Sequence, residues 1–356
     1  MINEALVLET LKKVRYPGFS RDIVSFGLVK AVRLDGAAVD IDLHLTTSDP
    51  RVPAQIEEES RQALAAVPGI GPIRFHTQVT APVTAAMQAG GGVKSKIDGV
   101  RHVIAVASGK GGVGKSTVAA NLAAAFAKQG FRTGLCDCDL YGPSMGVMFG
   151  IQEHPTATDD ERINPIEAHG IRMMSMGFLL GEDSPAILRG PMVTRYTQQF
   201  LRHVAWGELD VLVLDLPPGT GDIQLTIVQT VALTGAVIVT TPQEVALIDA
   251  RKAAAMFHKV SVPILGLIEN MSYFLCPSDG IRYDIFGQGG GKREAARLQI
   301  PLLAEVPLDM ATREAGDAGR PIVLARPDSP VSKAFVDAAL ALAPLLRGDG
   351  VAPKPA

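Results

Sequence analysis

The chain has 356 residues, 47% hydrophobic and 20% charged, with a formal net charge of −3. This length and apolar content suit a soluble globular protein of more than one domain, and the charge balance argues against a dominant nucleic-acid-binding face. No apolar run approaches the roughly 18 residues of a membrane span, the N-terminus lacks the apolar core of a signal peptide, and three cysteines are too few for a disulfide framework, so the expected setting is a reducing cytoplasm.

In chain order, residues 1–80 read as a small α+β domain. An apolar-periodic helix (Ala5, Leu6, Leu8, Leu11) precedes a turn at Tyr16-Pro17-Gly18, and two strand-like runs, GLVKAVRL and AAVDIDLHLTT, flank a hairpin signal at Asp35-Gly36. In the second run Val39, Ile41, Leu43 and Leu45 alternate with Asp40, Asp42 and His44, which predicts one buried and one wet face. A helix from Ile56 to Val67 and a strand from Ile73 to Gln78 complete this unit. The segment Ala81 to Gly99, with its glycine triplet and small residues, reads as a flexible tether.

From Val100 short continuous apolar runs alternate with helical stretches: HVIAVA, RTGLCD, IRMMSMG, DVLVLD, GAVIVTT, ILGLIE and LLAEV. Continuous hydrophobicity means that both faces of each strand are covered, so residues 100–347 are expected to form an α/β domain with a doubly wound, mostly parallel sheet. A last helix starts at Ser329-Pro330, a cap followed by a first-turn proline, and residues 348–356 read as a frayed tail.

The segment SGKGGVGKST, Ser108 to Thr117, satisfies the G-x-x-x-x-G-K-[ST] pattern with Gly109, Gly114, Lys115 and Ser116, between a strand and a helix whose Val118, Leu122, Ala125 and Phe126 share a face. In such a loop Gly109, Lys110, Gly111, Gly112, Val113 and Gly114 turn backbone N–H groups onto phosphate oxygens. Lys115 supplies charge to the outer phosphates, Ser116 a hydroxyl to Mg²⁺, and Thr117 continues the helix N-terminus. This is a P-loop nucleotide site. Lys110 stands where the pattern allows any residue; its plain reading is a solvated loop lysine, its functional one a charge for a second nucleotide. Asp137 and Asp139 in GLCDCDLYGPS, and Asp215 in DVLVLDLPPGTGD, lie at carboxyl edges of parallel strands, where a carboxylate can hold the Mg²⁺ shell or orient an attacking water.

The G-K-G-G-V-G-K-S-T form resembles the deviant P-loop of the MinD, ParA and nitrogenase iron-protein class. DCDLYGPSMGVMFG, LRGPMV, LDLPPGTGDIQLT, TTPQEVALIDARKA, IENMSYFLCP, DIFGQGGG and PLDMATREAGDAGRPIV narrow the resemblance to the Mrp family, with its ApbC and Nbp35 relatives. RDIVSFGLV and LHLTT in the first domain resemble the MIP18-type domain often fused to that family. The resemblance implies an ATP- and Mg²⁺-dependent ATPase that carries iron–sulfur clusters to apoproteins or assembly proteins as a homodimer; the charge balance and the lack of a membrane-length apolar run lead us to expect no nucleic-acid or membrane partner. It assigns Lys110 to the partner's phosphates, Asp139 to the attacking water, Asp137 and Asp215 to the Mg²⁺ neighbourhood, Asn270 to the adenine, and Pro242-Gln243 to the loop near the base.

The sequence departs from that family at one place. The family pattern C-P-x-C would give a two-fold dimer four thiolates for one [4Fe–4S] cluster, whereas this chain reads Cys276-Pro277-Ser278-Asp279. Carboxylate oxygen is a harder ligand, so the expectation is a weaker, more labile or absent cluster at Cys276. Cys136 and Cys138 alternate with the strand-end aspartates and read as core residues. Two readings stay open: a cluster carrier, and an ATP-switched protein-binding scaffold without a cluster. A membrane- or DNA-positioning ATPase is weaker, because GDGVAPKPA cannot form a basic amphipathic helix.

Overall fold

The computed structural model describes residues 3–14, 22–24, 28–46, 51–80, 94–156, 158, 162–178, 201 and 203–348. Two compact units divide the chain, Met1–Gly92 and Val93–Ala356. The LRGPMV segment, residues 81–93 of the expected tether and residues 349–356 of the expected tail lie outside the described residues.

The first unit contains α1 (Glu4–Leu11), β1 (Val29–Asp35), β2 (Ala38–Thr46), α2 (Arg51–Ala65) and β3 (Ile73–Thr80). Asn3 caps α1 by accepting the Leu6 N–H. Strand β2 is central, antiparallel to β1 and parallel to β3. The alternation in β2 does what period-two patterning dictates: Val39, Ile41, Leu43 and Leu45 join Val7, Leu11, Ile56 and Leu64 in one core. On the other face Asp42 pairs with Arg33 at 2.6 Å.

The second unit is a layered α/β domain. Its strands are β4 (Val100–Ala107), β5 (Thr133–Asp137), β6 (Ile166–Ala168), β7 (Ile171–Ser175), β8 (Leu209–Asp215), β9 (Gly235–Thr240), β10 (Ile264–Leu275), β11 (Arg282–Tyr283) and β12 (Leu302–Leu308). Its helices are α3 (Lys115–Lys128), α4 (Met145–Phe149), α5 (Asp222–Thr230), α6 (Glu244–Lys259), α7 (Gly290–Leu298), α8 (Met310–Asp317), α9 (Ile322–Ala325) and α10 (Pro330–Arg347). The sheet runs β11-β10-β9-β4-β8-β5-β7-β6, with β12 also on β10. All pairings are parallel except β10–β11 and β6–β7. Apolar side chains on each side of the sheet build two cores, one beneath α3 and α10, the other around Trp206 and Phe257.

Packing of the second unit begins before Val100. Lys94 Nζ donates to the Val260 carbonyl at 2.8 Å, Ser95 bridges Val231, and Ile97 is buried. Residues 94–99 therefore belong to this domain rather than to a tether, because Ile97 has an apolar cluster to join and the Ser95 backbone a partner. No helix among the described residues is long and apolar enough to cross a membrane.

Candidate functional site: a phosphate loop over two buried carboxylates

Sheet register assembles the site. In adjacent parallel strands Asp215 lies beside Val106 of β4 and beside Asp137 of β5. Each strand ends at the same carboxyl edge, where open α/β sheets bind ligands. The loop from Gly109 to Gly114 leaves β4 there and opens directly into α3, with Gly111 and Gly112 exposed and Val113 buried. Gly114 is the N-terminal flank of α3 at φ 78°, and a Cβ on it would fall 2.2 Å from the Asn270 amide nitrogen. Only glycine permits both that conformation and that approach. Asn270 reaches across from β10 and donates to the Val113 carbonyl at 2.9 Å.

Lys115 is buried at the first position of α3, its Nζ 2.5 Å from Asp215 Oδ1 and 3.3 Å from Ser116 Oγ. Asp215 is fully buried; burial pushes its carboxyl up, and the Lys115 ammonium opposes that. Among the described residues its second oxygen, Oδ2, has no hydrogen-bond partner. Asp137 is buried alongside and pushed up to about 6, first by burial and then by the neighbouring Asp215 charge. Its Oδ1 accepts the Asp139 N–H (3.1 Å), and its Oδ2 accepts the N–H groups of Ser144 and Met145 and the Ser175 hydroxyl (3.0, 3.2 and 3.0 Å). These four donors make Asp137 the anchor of the loop carrying Asp139, a role that the sequence reading of a Mg²⁺ neighbour did not contain. Asp139, half-buried, accepts the N–H groups of Tyr141 and Gly142 at 3.3 Å.

Beside the P-loop lies an open cavity of about 480 Å³, lined among others by Gly114, Thr117, Asn270, Met271, Pro307 and Asp309. That volume falls in the roughly 300–1,000 Å³ range of small-molecule sites. Pro242, expected near the base, does not line this cavity; it is buried where β9 leads into α6. Pro307, Asp309 and Arg313 line it without having been singled out. The signal for them was Asp309 before MAT, a helix cap: its carboxylate accepts the Thr312 N–H at 3.1 Å.

Cys276 lies elsewhere, just past the end of β10, on a short hairpin closed by Leu275–Arg282 pairing. Its Sγ is 3.0 Å from Ser278 Oγ. Asp279 Oδ1 accepts the Ile281 N–H at 2.8 Å and Oδ2 the Tyr283 hydroxyl at 3.2 Å. These contacts, the Ile281 N–H foremost and then the Cys276 thiol, hold its carboxyl below the usual range. Among the described residues no three His, Cys, Asp or Glu side chains are grouped to hold a metal. Cys136 and Cys138 are buried in the core around Trp206, their sulfurs 3.8 Å apart. Burial pushes the Cys136 thiol well up, which suits packing rather than ligation.

Residues 99–343 match the family described as NUBPL iron-transfer P-loop NTPase, and residues 4–74 match the iron–sulfur cluster assembly protein family. An iron–sulfur cluster carrier protein of Deinococcus radiodurans is 49% identical over 343 residues, covering 96% of this chain and 95% of that one. One from Aquifex aeolicus is 52% identical over 251 residues, covering 70% and 69%. The solved structure of a nucleotide-binding protein from Archaeoglobus fulgidus in complex with ADP is 42% identical, covers 63% of this chain and 88% of that one, and superimposes with a TM-score of 0.57. With its phosphate loop, its paired strand-end carboxylates and both domains matched, this chain belongs to the Mrp/ApbC/Nbp35-like family of iron–sulfur cluster carrier P-loop ATPases.

Proposed function

We propose that the protein is a nucleotide-gated homodimer that binds an iron–sulfur cluster as cargo at Cys276 and hands it to apoproteins or assembly proteins. The observation that carries the nucleotide half is the buried Lys115–Asp215 pair under a glycine loop. A lysine held there is positioned to exchange a carboxylate for the outer phosphates of ATP. The same chemistry makes room for Mg²⁺: the orphaned Oδ2 of Asp215 and the Ser116 hydroxyl are the oxygens that suit it. When bound, Mg²⁺ would neutralise charge on the β- and γ-phosphates. Asp139, carried on the loop that Asp137 anchors, would orient the water that attacks the γ-phosphorus, and ADP leaves with inorganic phosphate.

Lys110 is half-buried and forms no ion pair among the described residues. That leaves its ammonium available to the nucleotide of a second subunit. ATP would then close the dimer and hydrolysis would reopen it, a two-state element biased by the γ-phosphate. Sedimentation with and without ATP tests this. Lys110→Ala should bind ATP as a monomer yet fail to dimerise; ATP-induced dimerisation equal to wild type would refute the cross-subunit role.

A second reading, an ATP-switched scaffold without a cluster, is favoured by one observation. Both carboxylate oxygens of Asp279 are engaged in closing the hairpin, so the residue in the second cysteine's place has structural work of its own. With Asp279 so engaged, this segment leaves each subunit a single thiolate, Cys276, fewer ligands than a C-P-x-C pair would give a cluster.

A further inference from the structure

Glu269 of IENMS and the glycines of DIFGQGGG have no part in the nucleotide chemistry described so far, and they meet at that buried carboxylate. Strand β10 pairs with β9 only as far as Glu269, and its ladder with β12 loses register between Asn270 and Phe274. Met271, inside that irregularity, adopts a left-handed conformation at φ 53°, which a non-glycine residue holds only when its surroundings impose it. Glu269 supplies the restraint. It is fully buried; Oε1 accepts the Ser272 hydroxyl at 2.6 Å, so the carboxylate spans the kink. Oε2 accepts the N–H of Gly291 in the first turn of α7. The residue flanking that helix is Gly289, which has no side chain to cap it, so Glu269 does so from the strand. A Cβ on Gly291 would lie 2.8 Å from Glu269 Cβ and Oε2, so glycine there admits the carboxylate.

Asn270 follows immediately and, by strand alternation, projects the other way, toward the P-loop. Its Nδ2 is committed to the Val113 carbonyl at 2.9 Å, which fixes the amide orientation and leaves Oδ1 as its acceptor at the cavity wall.

We propose that Glu269 is a positioning residue for base selection: by pinning the Met271 kink it holds the Asn270 amide so that Oδ1 selects a purine with an amino donor at position 6 over one with a carbonyl there. Adenine offers that donor, whereas guanine and hypoxanthine would set an acceptor against an acceptor. The inference rests on the cavity being the base site of ATP.

The test is a set of dissociation constants with Mg²⁺ present for ATP, ITP and inorganic tripolyphosphate, the last a probe without a base. Wild type should prefer ATP over ITP by about tenfold or more, the scale of one well-made hydrogen bond in a buried site. Glu269→Ala should lose most of that preference with tripolyphosphate binding unchanged. Glu269→Gln should keep it, since the amide can accept from Gly291 and donate to Ser272. Ser272→Ala, which removes one restraint and leaves the buried carboxylate capped, should lose part of it. The double variant Glu269→Ala/Asn270→Ala should prefer ATP no less than Asn270→Ala alone. A wild-type ATP/ITP ratio in folded Glu269→Ala, or parallel loss of ATP and tripolyphosphate, would overturn the positioning role. If Glu269→Ala does not fold, an unchanged ratio in Ser272→Ala overturns it equally. A wild-type ratio in Asn270→Ala would instead remove the base-site reading beneath it.

Discussion

Lys115 and Asp215 are mutually dependent, because each is a charge that the other makes tolerable in the core. Lys115→Ala should therefore act twice. It should weaken ATP binding about tenfold or more, the scale of a lost charge-assisted contact, and destabilise the apo domain by about 3–5 kcal/mol by stranding a buried carboxylate. Calorimetry and urea unfolding read these separately; a variant with normal apo stability would show that the pair contributes little. Asp139→Asn should leave ATP affinity within about twofold while slowing hydrolysis on the order of 100-fold, the usual scale for losing a group that handles the water proton. Away from the site, Asp210 is held down to about 2, chiefly by hydrogen bonding to the Arg132 side chain. An acid whose folded pKa is depressed contributes stability that is complete above its unfolded value near 3.9 and lost as pH falls toward 2. Asp210→Asn should thus be less stable than wild type at pH 6, with the gap closing between about pH 4 and pH 2; a gap independent of pH would assign the effect to packing.

Elements differ in how openly the sequence declares them. The seven parallel strands were legible because each is a continuous apolar run; β5, β8 and β9 are buried along nearly their whole length, as an inner position in the sheet requires, whereas β12 at the margin is mostly half-buried. β6 and β11 are three and two residues long, too short for any period to register, and were not anticipated. The P-loop was legible because its glycines answer a backbone requirement that no other residue meets. The roles of Asp137 and Glu269 were hidden, since a carboxylate after an apolar run looks alike whether it faces a ligand or caps loop and helix amides. Asn121 belongs to the same hidden class. Buried on α3, it donates to the Thr117 carbonyl and accepts the Val323 N–H at 3.1 Å, tying α3 to α9. Asn121→Ala would orphan that buried N–H, at about 1–3 kcal/mol. The check is the urea midpoint together with faster amide exchange at Val323; unchanged exchange would mean that another acceptor takes over.

Across the second unit, β10 links the nucleotide site to the Cys276 hairpin. One strand carries Glu269, then Asn270 against the P-loop, and leads directly to Cys276 at its hairpin tip. The nucleotide half was readable from motif and spacing, whereas the cargo half depends on a contact pattern that spacing does not encode, the engagement of Asp279 by Ile281 and Tyr283. The most direct measurement is anaerobic reconstitution with iron and sulfide, with both counted per chain, a visible spectrum, and transfer to an apoprotein, in wild type and Cys276→Ala. Wild type should hold a cluster that is absent from Cys276→Ala and passes to the acceptor. No cluster in wild type, under conditions that load a C-P-x-C relative, would contradict cargo binding at Cys276 and leave an ATP-switched scaffold.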